Sequence, residues 1–218
     1  MIDWAEHVER EERRYDDGVA RLPDDPDALQ KQLVRVANAA TGAGLAELMR
    51  GRRAEASGWF RRAAERYRES FENAPAGSWG RPIGAVKARV LAEDDEGAEA
   101  DALWSLAQSP AVSESPIGRY AAVLALLVLG RDEEAAPLAR DLGAEAAERF
   151  PAEVAAALLG LAERDESRYA DGLAGTLRSF EDRKEYLEDV PVADTVLVLD
   201  ALAATRGMAV RPSSVVLP

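Results

Sequence analysis

The chain carries a single histidine, His7, and no cysteine. That inventory removes thiolate chemistry, disulfides, histidine-based metal sites and an ordinary Ser-His-Asp triad. Ser70 and Ser179 sit in the echoing stretches "YRESFENA" and "LRSFEDR", but a nucleophilic serine needs a neighbouring base and one distant histidine cannot serve both. The acidic runs "PDDPD" at 23–27 and "EDDE" at 93–96 offer the hard oxygen ligands that cations favour. Neither has the spacing of a calcium loop, and both stand where a carboxylate caps the following helix and meets the positive end of its dipole. Among 40 acidic residues no partner group singles out a pair for acid–base work. No cofactor, no metal and no catalytic residue is expected.

What remains is recognition chemistry. Residues 50–68 hold seven arginines (Arg50, Arg52, Arg53, Arg61, Arg62, Arg66 and Arg68) against Glu55 and Glu65, in a chain whose net charge is −13. On a helical wheel Arg61 and Arg68 flank one side of an aromatic face and Arg62 and Arg66 the other, so they form no single phosphate-tracking stripe. They read either as a solvated rim paired with acidic neighbours or as a patch for an acidic partner. Of the four tryptophans, Trp4, Trp59 and Trp104 read as packing residues, and Trp79, flanked by glycine in a loop, as a binding anchor. Arg61, Arg62, Arg66 and Trp79 are therefore the candidate partner-binding residues. The acidic balance repels nucleic acid and anionic lipid, so neither is expected as a partner.

The opening "MIDWAEHVEREERRYDD" has acids where a signal peptide places a basic and then an apolar region, and the longest apolar run, "YAAVLALLVLG", is short of the roughly 20 residues a bilayer span needs. A cytoplasmic protein is expected.

The elements that must hold these residues are helices. Ala, Leu, Glu and Arg fill the chain at helical period, and 47% hydrophobic composition is enough for a substantial core. Asp25 and Pro26 open one helix, with Leu29, Leu33, Val36 and Ala40 on its apolar side. After a stop at Gly51, a second carries Ala56, Trp59, Phe60, Ala63, Tyr67 and Phe71 on one face. The two form an antiparallel hairpin.

One device recurs in "MRGRRAEA", "LAEDDEGA", "VLGRDEEA" and "LAERDESRYA": an apolar helix end, a charged turn, then a small or aromatic residue that restarts a helix. The restarting residues Ala56, Ala98, Ala135 and Tyr169 stand 42, 37 and 34 residues apart, within the range of helix-pair repeats. Stronger Pro/Gly breaks at 73–82, 108–116, 150–151 and 188–191 separate one pair from the next. Asp194 is expected in the first turn of a last helix opened by Asp189 and Pro191 and closed by Gly207, and Asp200, inside an apolar run, facing solvent or an arginine of the preceding pair. The expected fold is an all-α solenoid of about five stacked antiparallel pairs, a single domain with an N-terminal helix and linker in 1–22, pairs in 23–207 and a tail in 208–218.

In this scheme, with its small residue after each turn and large apolar residue before it, the chain resembles the tetratricopeptide superfamily. Over Ser78–Trp104 and Ala193–Pro218 it is also similar to the immunity 49 group of immunity proteins from bacterial polymorphic toxin systems. These resemblances imply a non-enzymatic protein-binding scaffold whose partner is a toxin domain. The rival expectation is a helical enzyme or small-anion sensor whose pocket uses only Arg, Asp and Glu.

Overall fold

Capping side chains start helices where the sequence supplies them. In the computed structural model, which describes residues 2–208 and 210–218 apart from the side chains of 145–148 and 187, Asp3 accepts from the amides of Ala5 and Glu6 and opens α1 (Trp4–Val19). Met1 and Ala209, in the expected N-terminal segment and tail, lie outside the described residues. Asp25 accepts from the Ala28 amide at 2.8 Å and, with Pro26 in the first turn, opens α2 (Pro26–Met49). There follow α3 (Arg53–Phe71), α4 (Gly80–Leu91), α5 (Asp95–Ala107), α6 (Pro116–Val128), α7 (Asp132–Arg149), α8 (Ala152–Glu163), α9 (Glu166–Glu181) and α10 (Asp194–Ala204). No strand occurs among the described residues, so the chain is all-α. No described helix is long and apolar enough to cross a membrane.

The four recurring turns share one backbone conformation. Gly51, Glu93, Gly130 and Arg164 all have positive φ, at 73°, 54°, 67° and 56°, and each stands five residues before its restarting residue. The amide after each reaches back to a carbonyl of the preceding helix: Arg52 to Glu47 at 2.9 Å, Asp94 to Arg89 at 3.1 Å, Arg131 to Leu126 at 2.9 Å and Asp165 to Gly160 at 2.9 Å. This is the Schellman closure, which satisfies carbonyls a helix end would leave orphaned. Ala56, Ala98, Ala135 and Tyr169 are all buried.

The chain forms two compact units. One comprises residues 1–95, 184–192 and 214–218. In it α2 packs against α1 and α3, and α3 against α4. Its core sets Leu33, Val36, Ala37, Ala40 and Ala43 of α2 with Ala56, Phe60, Ala63 and Tyr67 of α3, and the Tyr67 hydroxyl donates to Asn38 at 2.7 Å. Phe71, expected on this face, is only half-buried; Ser70 takes the buried position and donates to the Gln30 carbonyl at 2.7 Å.

The other unit comprises 96–183 and 193–213. Here α6, α7, α8 and α9 pack in sequence, while α8 also touches α6 and α10. Residues 121–127 of α6 are buried without interruption, as suits a helix covered all round. Helices α8 and α9 approach closely because Gly160 and Gly172 lie where they cross: a Cβ on Gly172 would meet the Ala157 nitrogen at 2.4 Å. The last helix begins at Asp194 itself rather than at Asp189, which lies in a short 3-10 turn, Leu187–Asp189.

Candidate partner-binding surface

Helix α3 carries the arginines, and its period sends them to opposite flanks. On one flank the exposed Arg61 places Nε 3.5 Å from Oδ2 of Asp94, a carboxylate also held by Arg89 at 2.8 Å. That acid belongs to the turn after α4, so the pair links α3 to the C-terminal end of α4. On the other flank, toward α1, the guanidinium of the exposed Arg62 lies over the Trp59 ring, 4.4 Å from its centroid. The same ring meets Tyr15 of α1 edge-on at 5.4 Å. One turn further, Arg66 pairs with Glu69 at 2.6 Å. Burial works against its charge, but hydrogen bonds to Glu69 and Tyr15 outweigh that and hold its pKa above the ordinary arginine value.

Arg62 and Arg66 thus frame two aromatic rings, Trp59 and Tyr15, in a cation–aromatic cluster on one side of α3. The cation is placed where the ring quadrupole attracts it, worth roughly 0.5–1 kcal/mol at an exposed site. Arg61 belongs to the opposite side. Trp79 stands at the N-cap of α4, half-buried, beyond the C-terminal end of α3.

The rest of the arginine-rich stretch is engaged locally. Arg50 and Arg52 lie 3.2 and 3.6 Å from Glu47, and Arg53 pairs with Glu93 at 2.9 Å. Glu47 is buried, and that burial raises its pKa against the opposing pull of Arg50 and Arg52.

Sequence reasoning missed Glu11. Within "EREERR" it reads as a solvated acid, yet it is fully buried, 2.7 Å from Arg10 and 2.9 Å from Arg14. Arg14 also pairs with Glu188, so the cluster ties α1 to residues 184–192 of the same unit. The signal was available in the spacing, since Val8, Glu11, Tyr15 and Gly18 fall on one helical face. Nearby, burial pushes the pKa of His7 down, and its Nδ1 is buried without a hydrogen-bond partner.

Asp200 also departs from expectation. It is partly exposed and accepts from the Tyr169 hydroxyl at 3.4 Å and from the amides of Val210 and Arg211 at 3.1 and 3.3 Å, so its partners are a tyrosine and the tail backbone rather than an arginine side chain.

In the second unit a cavity of about 380 Å³ opens at the start of α7, lined by Gly130, Arg131, Asp132, Glu133, Glu134 and Arg164. Its charges largely satisfy one another. Arg131 is bidentate to Glu134 at 2.6 Å, and Asp132 lies between Arg164 at 3.2 Å and the buried Arg206 at 2.5 Å. Among the described residues no group of three His, Asp or Glu side chains is placed to hold a metal ion. No family model, curated protein or solved structure matches the chain.

Proposed function

We propose that the chain is a non-enzymatic binding scaffold of stacked antiparallel helix pairs in the tetratricopeptide manner, and that its partner is a bacterial toxin domain it neutralises. The observation that carries the reading is Arg62 laid over Trp59 beside Tyr15 and Arg66. Trp, Tyr and Arg dominate the energetic centres of protein interfaces, and side chains held in place before contact lose less entropy on binding. A basic flank on a chain of net charge −13 steers an acidic patch of the partner toward one place. The four like-built turns, and the contacts of α8 with both α6 and α10, support the stacked arrangement.

The rival reading, a small-anion sensor or enzyme, would use the cavity at α7. Both of its arginines are already bonded to carboxylates, Arg131 to Glu134 and Arg164 to Asp132, which favours the scaffold.

The test is co-expression with each adjacent gene whose product arrests growth when expressed alone. Growth restored by the chain supports the reading. Growth still arrested while the chain is folded and abundant overturns it.

A further inference from the structure

At the far end of the first unit from the turn at Gly51, three helices meet at one guanidinium. Arg81, in the first turn of α4, donates through Nε to Ser70 Oγ of α3 at 2.8 Å and through Nη2 to Gln30 Oε1 of α2. Both acceptors are neutral, and both residues are buried, at 0% and 1% exposure. The acid next in this network, Asp27, accepts from Gln30 Nε2 at 3.1 Å and from Lys31 at 2.6 Å. Burial lowers the pKa of Arg81, with no carboxylate acting to raise it.

A half-buried arginine in an acidic chain would ordinarily take a carboxylate partner. Here the side of the fork formed by Nε and Nη2 is fixed by Ser70 and Gln30, which leaves Nη1 and the end of the fork, the edge that binds carboxylates bidentately. The orientation is set before any ligand arrives, so little rotamer entropy is lost on binding. The guanidinium also sits at the start of α4, a helix of 12 residues whose N-cap, Trp79, makes no side-chain capping bond. The helix dipole there adds to the attraction for an anion.

We infer that Arg81, held by Ser70 and Gln30, is a binding site for a carboxylate group. The ligand is planar and singly charged. A phosphate would call for several convergent donors, and a chain this acidic disfavours a dianion. The site is separate from the α3 flank and does not depend on the partner being a toxin. The carboxylate comes either from a free small acid or from an acidic side chain of a bound protein.

The experiment follows the Nε–H resonance of Arg81 by NMR in the ¹⁵N-labelled chain during separate titrations with acetate, N-acetyl-glutamate amide and inorganic phosphate. A saturable shift with either carboxylate supports the site; response to acetate alone assigns it to a small acid, and response to the blocked glutamate assigns it to a protein side chain. Arg81→Lys keeps the charge but loses the fork, and should weaken binding by about tenfold or more; with one of the bonds to Ser70 and Gln30 lost, it should also melt a few degrees below the parent. No saturable shift with either carboxylate, or phosphate bound as tightly as they are, overturns the inference. Should Arg81→Lys fail to fold, the titrations of the parent chain decide alone.

Discussion

The backbone nitrogen of Tyr169 lies 2.4 Å from where a Cβ on Gly160 would stand. Helix α9 therefore rests on α8 at a distance only glycine permits. Gly160→Ala should destabilise the chain by about 1–3 kcal/mol or more, because a backbone atom cannot step aside as a flexible side chain can. Gly58, on α3, has open space at the same position, so Gly58→Ala should gain about 0.5–1 kcal/mol of helix propensity. Urea denaturation of both variants checks the contrast.

The four turns carry two glycines and two residues that pay a steric cost for positive φ. Glu93→Gly should stabilise by about 0.5–1 kcal/mol, since relief of the left-handed conformation exceeds the worth of its exposed pair with Arg53. Gly130→Ala should lose about 1 kcal/mol for the reverse reason. Thermal melts that move in the same direction for both would show that the turns are not equivalent.

Tyr169 supplies a pH signature. Burial first, then the neighbouring Asp200 carboxylate, raises its pKa well above the ordinary tyrosine value. Above about pH 10 the unfolded chain releases this proton and the folded chain keeps it, so the folded state binds more protons and its stability falls as pH rises, by up to about 1.4 kcal/mol per unit for this group. Tyr169→Phe should be less stable than the parent at pH 8 but lose less between pH 8 and pH 11. Equal losses in the two chains would contradict this account.

Phe60 and Phe71 lie on the same helix with different weight. Phe60 is fully buried and Phe71 half-buried. Phe60→Ala should cost about 3–5 kcal/mol and Phe71→Ala roughly half as much. Denaturant midpoints rank the two.

Helix positions and turns were legible in the sequence because local signals set them. Asp25 with Pro26, and the stop at Gly51, act within a few residues of the boundaries they create. The positive φ of Glu93 and Arg164 was not legible, since their types argue against it and only alignment with the turns at Gly51 and Gly130 reveals it. Phe71 was misplaced because the end of α3 turns its Ser70 side inward, where a hydroxyl meets the Gln30 carbonyl. Burial of Glu11 was signalled by its place on the helical face of Val8 and Gly18, but its tie through Arg10 and Arg14 to a segment more than 170 residues away is beyond the reach of any local pattern. At the candidate surface, the wheel correctly separated Arg61 from Arg62 and Arg66, while the pairing of Arg62 with Trp59 on the same helix was open to reading but not read.

The central claim is that the Arg62–Arg66 flank of α3 holds a protein partner. Its most direct test is retention of a growth-arresting toxin domain, sought among the products of the adjacent genes, by the tagged chain, compared between the parent and the Arg62→Glu/Arg66→Glu variant, with a thermal melt of each. Arg66 is hydrogen-bonded to Tyr15, so the variant should melt a few degrees lower, reflecting about 1 kcal/mol. It should stay folded and bind at least about tenfold more weakly, with most of the parent's affinity lost as salt rises. A folded variant that binds the toxin as tightly as the parent, or a parent that does not bind it, contradicts the claim.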